Sequence, residues 1–421
     1  MNELRNETHG WSLTKRIFFR FFFCFFIFQY FLSSAFYVFV FGFNISVYDW
    51  FENLYTPVSD FVNSHLLHLK QADTRLAVSN FIFHLASIAI SIVACTLWSI
   101  ADWQRKSYNQ MDFWLRWILK YLLAIIMFSY GIDKLIPNQM QPPEIEELRT
   151  PLGNFIPSSI FWSLMGSHSF YESFTGLVEL ITSLLLIVPR TYVLGLIILS
   201  GALFNILMLN MSFDIGATYF VIILLTTSIY LLFPYLKSII HFLVNKQPVS
   251  IYVQPDTTRS KRTKRVLTFF ATFFILSAFF NTKTALDYFR KETAFRESRK
   301  TFQIKTQINQ SDTVKMVEGE KSNWKYWIEY NKRGKRHLDI LTMNDTSNFE
   351  LLLQNDTLRR IVYLRPVEQT QEATSFTFSY ETSKGGDMTL RDSLHKMTLV
   401  LKEISEDDWP LLKRRNRILP F

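Results

Sequence analysis

Seven stretches of this chain are apolar and long enough to cross ~30 Å of hydrocarbon at ~1.5 Å per residue. They run roughly over Ile17–Phe43, Val78–Ile100, Phe113–Ile136, Phe170–Val188, Tyr192–Met211, Gly216–Leu236 and Val266–Phe280, the last being the shortest. The first does not read as a cleaved signal peptide, because its apolar run is too long and no small-x-small site follows it. Hydrophobic residues make up 49% of the 421, and Phe alone counts 41. Mean hydropathy is nonetheless only slightly positive, +0.10, so part of the chain must be water-soluble. That part is the C-terminus, where the long apolar runs stop.

The positions of Lys and Arg orient the segments. Arg5, Lys15, Arg16 and Arg20 precede or open the first. Arg105, Lys106 and Arg116 flank the second connection, and Arg190 sits in the turn after segment four. Lys237, Lys246, Arg259, Lys261, Arg262, Lys264 and Arg265 fill the connection before segment seven. The alternate connections hold Lys70 and Arg75, then Arg149, then none. All six connections agree on an N-terminus inside, and an odd number of crossings then puts the C-terminal region outside. The net charge of +9 is therefore inner-face anchoring rather than a nucleic-acid signal. The KRTKR run reads as a positive-inside stop with some attraction for anionic lipid. Cys24 and Cys95 fall in the first two segments and no CxxC exists, which argues against disulfide chemistry outside.

The organisation expected is a transmembrane hairpin over 1–112 with a long outer loop, a four-helix core over 113–236, a basic inner loop over 237–265, a last span over 266–281, and an outer domain over 282–421. The first outer loop holds His65 and His68 at x-x spacing, with Asp60 and Asp73 nearby. That spacing alone does not make a metal centre and none is assigned, the other reading being a surface or interfacial helix. The second outer connection pairs a short acidic helix in NQMQPPEIEELRTPLGN with an apolar, interfacial FIPSSIFWSLMGSHSF anchored by Trp162. After segment seven, KTALDYFRKETAFRESRKTFQ alternates charge at helical spacing and reads as an exposed helix. From Trp324 the period drops to two. WKYWIEY, HLDILTM, FELLLQN, RIVYLRP, SFTFSYE, DMTLRD and KMTLVLKEI read as strands of a small antiparallel β domain or barrel, separated by turn signals such as NDTSN, NDT and KGGD. The fold class is thus an α-helical membrane bundle followed by an antiparallel β domain. No internal repeat stands out.

Ionisable groups inside membrane helices cost roughly +2.5 to +3.5 kcal/mol each near the centre. The stretch 128–191 keeps four: Asp133 and Lys134, then Glu172 and Glu179. With the orientation above, Asp133, Lys134 and Glu172 sit near the outer mouth, and Glu179 lies ~10 Å deeper on the same face as Glu172. Asn205 falls at mid-depth, Asp214 caps the outer turn after it, and His168 and Tyr171 enter segment four from above. All lie in the outer half, whereas Arg116 and Lys120 in the inner half can snorkel to the interface. Two readings follow. One is a structural network that fixes helix register, with Lys134 paired to Glu179 or Glu172. The other is a polar cavity open to the outside, with Lys134 as cation, Glu179 as the deep carboxylate, and Glu172, Asn205 and Asp214 at the entry.

FSYGIDKLIP resembles the Gly-x-x-Lys-Leu signature of the DoxX family, matched by Gly131, Lys134 and Leu135. ESFTGLVELITSLLLIVPRTYVLG resembles that family's continuation, matched by Gly176, Glu179, Arg190 and Thr191. The likeness is to larger DoxX-like bacterial proteins with extra spans and an outer C-terminal domain. Asp73 and Thr74 match a motif in their first outer loop. Pro157, Trp162, Met165, Gly166 and Ser169 match a segment before span four, and Asn205 with Asp214 a pattern around span five. TLRDSL and the terminal PLLKRRNRILPF match more loosely. The resemblance implies a bacterial inner-membrane protein, N-terminus cytoplasmic and C-terminal domain periplasmic, associated with redox systems. Its implied partners are membrane lipid and quinone, or a redox partner protein, with quinone the candidate cofactor. The alternatives are a non-catalytic assembly or scaffold protein that binds through its β domain, and a small-solute transporter. No broken helix pair or inverted repeat supports transport.

Overall fold

The computed structural model describes residues 10–31, 57, 61, 64–65, 74–244, 261–309, 312–314, 324–332, 335–342, 348–366, 375–383, 386–405 and 408–412. The helices are α1 (Leu13–Phe31), α2 (Thr74–Ala101), α3 (Asn109–Leu135), α4 (Ile145–Arg149), α5 (Pro157–Gly166), α6 (Ser169–Ile187), α7 (Tyr192–Ser212), α8 (Thr218–Leu243) and α9 (Lys261–Ser298). Six of them, α2, α3, α6, α7, α8 and α9, are long and apolar enough to cross a membrane. Segment one is described only as far as Phe31. The first outer loop lies almost wholly outside the described residues, including Asp60, His68 and Asp73. His65 is exposed there, its Nδ1 2.8 Å from Ser64 Oγ, and no metal-binding group of His, Cys, Asp and Glu occurs among the described residues.

The chain divides into two compact units. In the first, 1–139, 156–161 and 171–285, α3 is the axis. Its residues Leu119 to Met127 are buried on every side, as in a helix enclosed by others. Ser183 on α6 donates to the Ala124 carbonyl at 2.6 Å. Tyr121 stacks on Phe270 of α9 at 5.3 Å, and Ser129 donates to Asn281 Oδ1 at 3.0 Å. The phenylalanines of α1 find aromatic partners: Phe22 and Phe26 meet Tyr230 of α8 at 5.4 and 5.1 Å. Tyr30 closes that seam by hydrogen-bonding Thr227 at 2.6 Å.

The second unit takes in 140–155, 162–170 and 286–421. Nine strands follow α9: β1 (Lys300–Asn309), β2 (Asp312–Val314), β3 (Trp324–Lys332), β4 (Lys335–Thr342), β5 (Asn348–Asp356), β6 (Ile361–Pro366), β7 (Phe376–Thr382), β8 (Met388–Asp392) and β9 (Met397–Ile404). All pair antiparallel in the order β2-β1-β3-β4-β5-β6-β7-β8-β9, and β1 also pairs with β9. Eight strands thereby close a barrel, with β2 as a short flap on β1. An eight-strand barrel is narrow enough for side chains to fill. Here Trp324, Trp327, Leu338, Ile340, Phe378 and Leu399 are among those that do. Phe376, Phe378 and Tyr380 share the inner face, as the alternation of SFTFSYE implies. One expectation is corrected. The charged helix after segment seven ends at Ser298, and Lys300 to Gln303 belong to β1, whose Phe302 and Ile304 point into the barrel core.

The segment 140–155 belongs to the barrel's unit, not to a separate helical core. Ile145 is buried with Tyr326, Ile328, Tyr330 and Leu341 on the barrel's outer face. Arg149 lies over the Tyr326 ring at 4.7 Å, and Glu144 pairs with Arg299. At Gly166 a Cβ would overlap the Gln141 carbonyl, so only glycine fits there.

Two hairpin turns share one design that the sequence reading missed. Asp356-Thr-Leu-Arg-Arg360 joins β5 to β6, and Asp392-Ser-Leu-His-Lys396 joins β8 to β9. In each, the Asp Oδ1 accepts the N–H groups two and three residues on, at 2.8 to 3.1 Å. In each, the Leu is thrust out, Leu358 96% and Leu394 82% exposed. The last residue takes a left-handed φ, 54° at Arg360 and 51° at Lys396. That conformation costs a non-glycine roughly 1–2 kcal/mol. Arg360→Gly and Lys396→Gly are each expected to stabilise the barrel by ~0.5–1 kcal/mol in denaturant unfolding, the flexibility glycine adds to the unfolded chain taking back part of the gain.

Asp392 is buried, and burial pushes its pKa up. Hydrogen bonds from the His395 ring and from the N–H groups of His395, Leu394 and Thr377 outweigh that, leaving it below the ordinary carboxylate value. A depressed carboxylate adds stability that is complete above its unfolded value of ~3.9 and is lost as pH falls through the native one. Asp392→Asn is therefore expected to cost ~1–2 kcal/mol at pH 7, with the difference from the parent shrinking below about pH 4. Thermal melts across pH 2.5–7 measure it.

Candidate functional site

The sequence places a glycine three residues before an ionisable group on two helices that run in opposite senses: Gly131 and Lys134 on α3, Gly176 and Glu179 on α6. The glycines let the two backbones meet. A Cβ on Gly131 would stand 2.8 Å from Leu180 N and 2.9 Å from Gly176 O. One on Gly176 would stand 2.7 Å from Gly131 O, Leu135 N and Lys134 Cβ. Close approach through small residues is how membrane helices pack. In the antiparallel crossing, Lys134 starts level with Gly176 and reaches along α6 toward Glu179, level with Gly131. Its Nζ donates to Glu179 Oε1 and lies 5.6 Å from the Tyr130 ring. Lys134 is 6% exposed and Glu179 4%. Of the two partners left open for Lys134, Glu179 is the one paired in the structure.

The other candidates spread out. Glu172 is fully buried at the first turn of α6, where the helix dipole favours a carboxylate, and its Oε1 accepts the Gln139 N–H at 3.1 Å. It ties the connection after α3 onto α6. Asp133 is half-buried one residue before Lys134. Asn205 is exposed on the outward face of α7, so it does not join Lys134 and Glu179, while Asn210 on the same helix is buried. Asp214 is exposed at a left-handed turn position, φ 52°. Tyr171 and His168 are exposed. Thr74 opens α2, with its side chain outside the described residues, as is Asp73.

The other half of the bundle, around the start of α3, is not bare of charge. Arg116 and Lys120 do not snorkel away. Arg116 pairs with Asp112 at 2.9 Å and donates to the Tyr230 carbonyl at 3.2 Å. Lys120, buried, donates to the Ile187 carbonyl at the end of α6 at 3.3 Å and lies over Trp117 at 4.6 Å. Arg20, also buried, bonds Tyr108 at 2.7 Å, which in turn bonds Asp102 at 2.9 Å. Asp112, four residues before Arg116 on one helix, was the signal that could have foretold this. Position in one half of the bundle therefore does not single out Lys134 and Glu179.

The Lys134–Glu179 pair differs from the Arg116–Asp112 pair in an unmet valence. Asp112 uses both oxygens, Oδ2 toward Arg116 and Oδ1 toward Tyr230 at 2.9 Å. Glu179 Oε2 is buried with no hydrogen-bond partner among the described residues. Buried polar atoms are paired in the great majority of cases, and each exception calls for an explanation.

No family model matches this chain. It is similar to the uncharacterized protein YwoB of Bacillus subtilis (strain 168), 35% identical over 99 residues. The match covers 23% of this chain and 61% of YwoB, so the chain spans about three-fifths of that relative's length. Thr191 has a local task at the turn that follows the pair: its Oγ1 donates to the Leu185 carbonyl at 3.0 Å, closing the end of α6.

Proposed function

We propose that this chain is a DoxX-like subunit of the bacterial inner membrane, redox-associated, in which Lys134 and Glu179 form the floor of a polar recess entered from the periplasmic side. The ligand is a quinone ring or a lipid headgroup, whose hydrogen-bond donor or ordered water would meet Glu179 Oε2. That unpaired oxygen is the observation that carries the reading. Proton exchange at the ligand is chemistry that such a pair can support, the ammonium holding the carboxylate charge until a proton arrives.

Two arrangements support the orientation. Trp11 N–H bonds the Lys106 carbonyl at 2.8 Å, and Arg16 bonds that of Arg105 at 2.9 Å, so the basic N-terminus and the basic connection after α2 share one end. The segment 140–155 shares a compact unit with the barrel, so the two belong on one side. Alternate sides for the basic ends and the barrel are what the Lys and Arg distribution requires.

Gentle solubilisation, solvent extraction and mass spectrometry test the proposal. A quinone or phospholipid retained by the parent and lost in the double variant Lys134→Met/Glu179→Gln, whose stability is close to the parent's, is the expected result; a parent that carries neither sinks the reading. A scaffold role is favoured instead by the filled barrel, which leaves binding to its outer surface. Stable capture of one protein through the barrel, with both charge variants still functional, would establish that alternative.

A further inference from the structure

Helix α7 buries Gly195, Leu196, Leu199, Leu203 and Asn210 and leaves the opposite face open. Along that face Leu194, Ile198, Gly201, Asn205, Met208 and Ser212 are all exposed. Their steps are four, three, four, three and four residues, the 3.5-residue spacing of a seam that packs against another helix. At Gly201 nothing lies within 4 Å of where a Cβ would stand, so the backbone is bare to a neighbour. Asn205 follows one turn later, with no hydrogen-bond partner among the described residues. It sits seven residues, ~10 Å, below the outer end of α7, too far for its short side chain to reach headgroups. A carboxamide at that depth needs both a donor and an acceptor, and hydrocarbon has neither.

We propose that this face of α7 is a self-association surface, with Asn205 of one copy hydrogen-bonded to Asn205 of a second. Two features select a second copy over another occupant. Copies in one membrane share an orientation, so a two-fold axis along the membrane normal brings each α7 position to its own equivalent at the same depth. A carboxamide carries one acceptor and one donor group, so it is complementary to itself. A single Asn in an otherwise apolar seam also sets register, since any slip leaves both amides unpaired.

The full chain in liposomes, counted by single-molecule photobleaching, tests this. Asn205→Leu is expected to weaken dimerisation roughly tenfold, in line with interhelical amide pairs in membranes. In a Cys24→Ser/Cys95→Ser background, Asn205→Cys should oxidise to a covalent dimer, whereas Ile222→Cys on the exposed face of α8 should not. Because Asn205 is exposed, both variants should melt like the parent. A monomeric parent, or an Asn205→Leu protein that dimerises as strongly as the parent, overturns the proposal.

Discussion

Replacing Lys134 by Met is expected to destabilise the helical unit by ~3–5 kcal/mol, because it strands Glu179 as an unpaired charge in an apolar interior. Glu179→Gln leaves Lys134 in the same position and should cost a similar amount. The double variant Lys134→Met/Glu179→Gln should recover most of the loss, since two uncharged groups of similar volume need no mutual compensation. Unfolding in mixed micelles provides the three values, and their non-additivity is the coupling energy. Additive losses would mean that the two groups do not depend on each other. The cycle also separates the roles discussed above. If the double variant is stable yet has lost its ligand, the pair serves binding; if it is stable and unimpaired, the pair serves only the bundle.

Gly176→Leu should be the most damaging single change at the crossing. Even an alanine Cβ would stand 2.7 Å from two backbone atoms of α3 and from Lys134 Cβ. Helix backbones cannot yield as a flexible side-chain tip can, so α3 and α6 must separate. Gly176→Ala is expected to cost ~1–3 kcal/mol and Gly176→Leu more than that, up to loss of the folded unit. Gly201→Ala on α7, with open space at the same position, is the control and should be neutral within ~0.5 kcal/mol. Equal losses at the two glycines would show that the close crossing does not decide, since helix propensity alone favours alanine over glycine.

Much of this architecture was legible because membrane and strand signals are both periodic. The six long helices lie within a few residues of the apolar segments, apart from α8 and α9, which run on beyond theirs. The strands from Trp324 onward emerged because turn residues punctuate them. β1 was hidden because its charges continue the alternation of α9, and its burial depends on pairing with β9, about a hundred residues away in sequence. At the site, sequence spacing put Glu172 and Glu179 on one face but left both open as partners of Lys134; the depth to which the lysine side chain extends decides that. For Asn205 the face was not readable. Asn205 and Asn210 are five residues apart, so they point in clearly different directions. Leucine and isoleucine surround α7 on every side, so no polar stripe tells which Asn faces inward. The snorkelling expected of Arg116 and Lys120 failed for a related reason: the Asp112 carboxylate, backbone carbonyls and aromatic faces within the bundle offered nearer partners than water.

The union of 140–155 with the barrel has a consequence for how the molecule is made. Glu144, Ile145 and Arg149 leave the ribosome about 155 to 180 residues ahead of their partners Arg299 and Tyr326. Four helices long and apolar enough to cross a membrane, α6 to α9, come in between. For that interval the short connection has its apolar side chain uncovered. Its docking therefore waits for β3 and β4, which carry Tyr326, Ile328, Tyr330 and Leu341. Chains halted before β3 would display that unfinished surface.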